Sequence, residues 1–202
     1  VVSGPLWSSK EFLKKKSKTD KKKISFFMSS YSGRNAINSI DGHISFIKFI
    51  EIIVKKYSDY NIYLKPKSFI ERYLENKKIA EIYEEIKKRN NFCIVKNEIP
   101  SYDLISTSDL VISQAFSSPT VEAIFMNKKS FYLDLNNKYR SGYFCKFNNL
   151  VSHSIDEGLN NLSQWLNLKD NLLEEKYKNI SLDMNFNANK GSPIEIIKRN
   201  LN

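Results

Sequence analysis

Residues 114–125 read QAFSSPTVEAIF, and they crowd hydroxyls and a carboxylate into what reads as a fresh helix start. Ser117, Ser118 and Thr120 carry the hydroxyls and Glu122 the acid. Pro119 suits the first helical position, which makes Ser118 the expected N-cap. A capping box would then need Glu or Gln at position 121, where Val121 stands. Glu122 falls one residue late, so capping does not explain it. A first-turn carboxylate still gains about 0.3–1 kcal/mol from the helix dipole. The chemical reading is different: helix N–H groups together with Ser117, Ser118 and Thr120 bind an anion. Glu122 then accepts hydrogen bonds from the vicinal hydroxyls of a ribose. Open α/β sheets bind nucleotides with this division between acid and helix N-terminus. Both readings stand at this point, with a phosphate-linked nucleoside as the ligand class under the second.

Three further candidates share one property: each follows an apolar, strand-like run. Ser29, Ser30, Ser32, Gly33 and Arg34 follow ISFFM. Small residues there admit a close backbone approach, and Arg34 can pair with a phosphate in a bidentate way. The run is neither a GxGxxG fingerprint nor a P-loop, and a plain polar loop fits it equally well. Lys65 and Lys67 flank Pro66 after NIYL. Two cations beside a rigid proline can hold a phosphate, although exposed lysines are common on any basic protein. Ile99 and Pro100 sit at a strand-to-helix turn, where backbone groups can pair with a nucleobase edge. Pro100 also simply suits a helix start.

These candidates need a scaffold that brings strand ends together, and the chain supplies one. Apolar runs at 24–30, 61–66, 92–96, 109–113 and 130–135, with a shorter one at 149–153, alternate with helical patterns at 44–57, 70–88, 99–108, 120–126 and 156–166. Ser192 and Pro193 open a last helical pattern. The expected fold class is α/β: a Rossmann-like three-layer αβα domain with a mostly parallel sheet of about six strands. In such sheets ligands bind beyond the carboxyl ends of the strands, near a reversal of strand order.

Composition narrows the function classes. The 202 residues are 41% hydrophobic, enough for one domain with a real core. The net charge is +10, and much of the excess lies in KKKSKTDKKK, residues 14–23. That run reads as a solvated connector or as an attraction to an anionic membrane surface, where each Lys contributes about 1 kcal/mol. Nucleic acid is not expected as a partner, because no aromatic-interleaved or DNA-reading motif accompanies the lysines. Cys93 and Cys145 are the only cysteines, too few for a disulfide framework, which favours a cytoplasmic home. His43 and His153 are the only histidines, neither at metal-ligand spacing, so no metal is expected. No apolar run is long enough to span a membrane. The start, Val1-Val2-Ser3-Gly4-Pro5, reads as cut from something longer.

The run YDLISTSDLVISQAFSSPTVEAIFMNKKSFYLD, Tyr102 to Asp134, resembles the donor-binding half of GT-B glycosyltransferases of bacterial surface polysaccharide synthesis. The nearest kinds are Kdo- and sialyl-type transferases and the glycerophosphotransferases of teichoic acid synthesis. The matching positions are Ser108 to Ser113, Ser117-Ser118, Glu122-Ala123, Lys128-Lys129 and Asp134. The late stretch LDMNFNANKGSPIEIIKRNL resembles the closing segment of that family. The resemblance implies residues 24–202 as a nucleotide-sugar-binding domain and 1–23 as linker and connector. It also implies a partner domain for the acceptor, N-terminal to this segment and absent from it. The family often has a His two residues after Lys in a KPHP-like motif; here Lys65-Pro66-Lys67 places a cation instead of an imidazole.

The substrate implied is a nucleotide sugar, CMP-, CDP- or UDP-linked, with no further cofactor. An inverting transferase needs a base for the acceptor hydroxyl and a stabiliser for the leaving phosphate. The second role falls to the helix start at Ser118 to Thr120, with Lys67 or Arg34. The base belongs to the absent half, so this segment alone is expected not to turn over. Tyr139 or Arg140, in the loop 136–144, is placed to meet donor sugar. The implied location is the cytoplasm, with the inner membrane face as a peripheral site. A sugar-nucleotide epimerase domain, a non-catalytic nucleotide- or partner-binding domain and a flavin-binding module are the alternatives.

Overall fold

The computed structural model describes residues 21–30 and 39–183. Gly33, Arg34, most of the Lys-rich run and the helix expected after Ser192 lie outside the described residues. The strands are β1 (Lys23–Met28), β2 (Asn61–Pro66), β3 (Phe92–Ile94), β4 (Leu110–Gln114), β5 (Lys129–Leu133) and β6 (Val151–Ser152). The helices are α1 (Ile40–Lys56), α2 (Ile70–Leu74), α3 (Lys77–Ile86), α4 (Ser101–Thr107), α5 (Ser118–Phe125), α6 (Ile155–Asn167) and α7 (Leu173–Asp183). The six strands form one sheet in the order β3-β2-β1-β4-β5-β6. Every pairing is parallel. The expected Rossmann-like fold is therefore borne out, down to the strand number.

The apolar runs form strands because both sheet faces are covered, so each strand is apolar on both sides. Ile24, Phe26 and Met28 of β1 join a core with Phe46, Phe49, Ile50 and Ile53 of α1. Phe27 faces the other way, into a smaller cluster with Val111, Leu104, Ile105 and Ala123 from β4, α4 and α5. Phe26 meets Phe46 and Phe49 edge-on, at 6.1 and 6.2 Å between ring centres, the geometry that the ring quadrupole favours.

Local chemistry shifted several boundaries. The helical pattern at 70–88 is two helices, because Asn76 accepts from the N–H groups of Lys78 and Ile79 and starts α3 afresh. α1 begins at Ile40, earlier than the apolar spacing suggested, because the Ser39 hydroxyl caps it by accepting from Gly42 N–H. α7 was not expected at all. Leu173, Tyr177 and Ile180 pack it against the main core, and the Tyr177 hydroxyl accepts from Ser130 N–H and donates to the Lys128 carbonyl.

Candidate functional site

Strand order reverses between β1 and β4, and open α/β sheets take their ligands at such a reversal, in the crevice beyond the strands' carboxyl ends. Its floor is built from residues far apart in sequence. Gln114 ends β4, and its Oε1 accepts from Ser29 N–H at 3.2 Å and from the Ser29 hydroxyl at 2.6 Å. Tyr73, on α2, donates to the Ser29 carbonyl at 2.7 Å and accepts from Ser68 N–H at 3.3 Å. The residue after β1 is thus held by β4 on one side and by α2 on the other.

His43 completes the floor. It lies in the first turns of α1, is only 1% exposed, and meets the Tyr73 ring edge-on at 5.3 Å. Burial pulls its pKa down from 6.5 to about 4, against the opposing influence of the neighbouring Gln114 side chain and Ser30 backbone. At neutral pH it is an uncharged ring set beside the two strand ends. Gly42, beside it, allows a close approach: a Cβ there would stand 2.1 Å from the Asn136 amide nitrogen.

The wall of the crevice is the β4–α5 turn. The N-cap of α5 is Ser117, one residue before the expected Ser118. Its hydroxyl does not cap the helix; it donates back to the Gln114 carbonyl at 2.9 Å. Ser117 N–H points to the same carbonyl, and Tyr132 Oη donates to the Ser117 carbonyl at 3.0 Å. No side chain caps this helix N-terminus, in contrast to α1, α3 and α6, which Ser39, Asn76 and Ser154 cap. With Ser117 as N-cap, Glu122 lies beyond the first turn, so the dipole explanation for it weakens. Glu122 is half-buried beside the exposed Ser118 hydroxyl. Burial raises its pKa and the hydrogen bond from Ser118 opposes the rise. The same carboxylate, after burial, pushes the Tyr132 phenol up.

Ser30, Ser117 and Ser118 belong to the strand ends and turn at this reversal, Glu122 lies one turn inside α5, and Lys67 follows β2 with its side chain exposed and its N–H on the Met28 carbonyl. Two of the expected ligands have partners within the fold. Lys65 is buried, and its ammonium donates to the carbonyls of Lys96 and Asn97, tying β2 to the loop after β3. Thr120 is fully buried, and its hydroxyl donates to the Phe131 carbonyl, leaving only its backbone to face an anion. At the third turn Ile99 is exposed, but its N–H is engaged by the Lys96 carbonyl, and Pro100 caps α4 without a side-chain bond. Tyr139 packs on Phe116 with ring centres 5.0 Å apart, and Arg140 donates to Asn137 Oδ1. Sequence reasoning missed His43, Tyr73 and Gln114 and the bond that joins Ser29 to Gln114. The available signal was the reversal of strand order, which puts the residues after β1 and β4 face to face.

A cavity of about 410 Å³ lies at the other end of the sheet, lined by Lys22, Asp109, Lys128, Lys129 and Asp170 among others. Its lysines are engaged: Lys128 donates to the Ser106 carbonyl, closing α4, and Lys129 to the Leu168 carbonyl and to Asp170. The strand-end crevice remains the better candidate. Among the described residues no cluster of His, Cys, Asp and Glu could hold a metal ion, and no helix is long and apolar enough to cross a membrane.

The fold has solved relatives. The N-terminal domain of Candida albicans trehalose-6-phosphate phosphatase superposes with a TM-score of 0.54 at 14% identity, over 81% of this chain and 38% of that one. A mutant of S. aureus TarM, in complex with fondaparinux, alpha-GlcNAc-glycerol and UDP, gives 0.53 at 20% identity, over 94% of this chain and 37% of that one. The C-terminal domain of LpcC, a glycosyl transferase group 1 family protein from Francisella tularensis, gives 0.52 at 13%, over 78% of this chain and 85% of that domain. At these identities the likeness shows the fold; the chain spans under two-fifths of the first two. No curated protein matches the sequence. The family model for polysaccharide biosynthesis PFTS motif proteins matches residues 1–166, most of the chain, which therefore belongs to that family.

Proposed function

We propose that this chain is the donor-binding half of a glycosyltransferase that builds cell-surface polysaccharide. The observation that carries the reading is the uncapped start of α5, set at the reversal of strand order with the half-buried Glu122 one turn inside it. Backbone donors at Ser118 and Thr120 take the phosphate of a CMP-, CDP- or UDP-linked sugar, and the exposed Ser118 hydroxyl and Lys67 add to them. Glu122 takes the ribose diol. A carboxylate held in a poorly solvated place gains most when a diol arrives to donate to it. Ser30 and the Ile99 carbonyl border the space for the remainder of the nucleotide. Residues 24–202 form the donor domain in this reading, residues 1–23 lead into it, and the acceptor-binding domain with the catalytic base is a separate, N-terminal unit. The Lys-rich run favours a cytoplasmic protein held at an anionic membrane face.

A thermal-shift panel of CMP, CDP, UDP, GDP and FMN tests this on the wild type and Glu122→Ala. A nucleotide at about 100 times its Kd stabilises by about 2.7 kcal/mol. The expected outcome is a shift with one pyrimidine nucleotide that disappears in Glu122→Ala. A shift indifferent to Glu122, or one with FMN alone, overturns the site.

A further inference from the structure

Beyond the carboxyl end of β5, outside the crevice floor, three reactive side chains stand in line. Asp134 follows β5, His153 follows β6, and Cys145 lies in a single 3-10 turn, Tyr143–Lys146, between them. Pairing of β5 with β6 brings them together. Asp134 Oδ2 lies 3.1 Å from His153 Nδ1, and His153 Nε2 lies 3.7 Å from Cys145 Sγ. The Asp134 side chain is 3% exposed and that of His153 18%. Asp134 also accepts from the N–H groups of Lys138 and Tyr139, so its position is fixed from two sides. A carboxylate that only accepts assigns the imidazole proton to Nδ1 and turns the Nε2 lone pair toward the thiol. The geometry is that of a nucleophile, a base and an orienting acid.

We propose that Cys145 is a site of S-thiolation, reacting with low-molecular-weight disulfides with His153 as its general base. In the step, Sγ–H gives its proton to His153 Nε2 while Sγ attacks one sulfur of the disulfide. A new S–S bond forms, the old one breaks, and the departing thiolate takes the proton from His153. The products are a mixed disulfide at Cys145 and one free thiol, so the disulfide is the only oxidant required. The surroundings select this reaction over acyl transfer. Cys145 N–H, the backbone donor of the nucleophile itself, is engaged by the Gly142 carbonyl at 2.9 Å and so is not offered to the oxyanion of an attacked acyl group. Attack on sulfur develops no oxyanion and needs no such donor.

The resting thiol donates to the Tyr139 carbonyl at 2.8 Å. Burial and the nearby Asp134 push its pKa up, while the hydrogen bond from the Gly142 backbone opposes them. It is therefore a protonated thiol at neutral pH, and base assistance is what gives it reactivity. A thiolate of high pKa is also the stronger nucleophile once formed. Cys93 is the internal control: it is exposed, and its Sγ contacts only the neighbouring Ile94 carbonyl among the bonds described.

The test incubates the full chain with glutathione disulfide at neutral pH, blocks residual thiols, and maps mixed disulfides by mass spectrometry. Each rate is divided by the rate of the same thiol in guanidinium chloride, which removes intrinsic differences. The expected normalised rate at Cys145 exceeds that at Cys93 by about tenfold, a modest share of what a positioned base gives. His153→Gln brings Cys145 to or below Cys93. The proposal is overturned if wild-type Cys145 reacts more slowly than Cys93. It is equally overturned if His153→Gln leaves the Cys145 rate unchanged while Cys93 keeps its native rate. Should the variant unfold, both thiols reach their denatured rates and the wild-type comparison decides alone.

Discussion

His43 and His153 stand at the same end of one sheet and are handled in opposite ways. His43 is buried beside an amide and backbone, and burial lowers its pKa to about 4. His153 is partly exposed and pairs with Asp134. Without a carboxylate, burial makes the imidazole a neutral strut, because the Gln114 side chain and the Ser30 backbone offset only part of the desolvation of its charged form. With one, the ring gains a fixed tautomer and a directed lone pair. The contrast separates a crevice whose floor is uncharged from a rim whose histidine is oriented by a carboxylate. A rigid, neutral floor suits a site that must present backbone donors to an anion without titrating beneath it.

The largest effect that can break this contrast is acidity. The folded pKa of His43 lies below its ordinary 6.5, so the stability tied to its neutral form is complete above about 6.5 and is lost as pH falls toward 4. The loss amounts to about 3 kcal/mol. Denaturant melts at neutral and mildly acidic pH should show a shallower fall for His43→Gln than for the wild type. Equal falls would mean that His43 titrates freely in the folded protein.

Next in size is Gly42→Ala, which strikes the seam between the two regions. Its methyl would press on Asn136, whose amide donates to Ser39, the cap of α1. The expected cost is about 1–3 kcal/mol. Adding Asn136→Ala should recover most of it if the clash is the cause, and melting temperatures of the single and double variants measure this. Tyr73→Phe is smaller. It removes the hydroxyl bonded to the Ser29 carbonyl and should lower stability by about 1 kcal/mol while leaving the ring against His43. The smallest change is a gain. The raised pKa of Glu122 means that its ionised form is disfavoured by folding, so the stability it contributes is present at low pH and lost as pH rises through its folded pKa. Glu122→Gln should therefore melt slightly higher than the wild type at neutral pH, with the gap closing in acid. A variant that is less stable at neutral pH would place Glu122 in a stabilising contact instead.

The sheet was legible because parallel strands covered on both faces read as unbroken apolar runs, from ISFFM to SFYLDL. The helix start at Ser117 was legible to within one residue, since Ser117 and Ser118 serve equally as caps and Pro119 is at home at either of the first two helical positions. Lys65 was read as a phosphate ligand because carbonyls have no signature in a sequence; only the β2–β3 pairing reveals that Lys96 and Asn97 take its ammonium. His43 was hidden by its neighbour. Gly42 reads as a loop residue, but its role is to let α1 approach Asn136. Ser29 and Gln114 could be joined only by knowing which strands are neighbours. Asp134, Cys145 and His153 likewise meet through strand pairing, although each was visible as a residue that can do chemistry.

The bond between Ser29 and Gln114 spans 85 residues, and Lys23 reaches Asp109 across 86. A chain emerging from the ribosome therefore exposes one whole edge of β1 until β4 has been made. Such an open edge invites pairing with another nascent chain. The half that carries β1, β2 and β3 can associate earlier, but the crevice has no second wall at that stage. A ligand that bridges the ends of β1 and β4 would thus find its site only when both strands have left the exit tunnel, and its binding would mark the moment at which the vulnerable edge is closed.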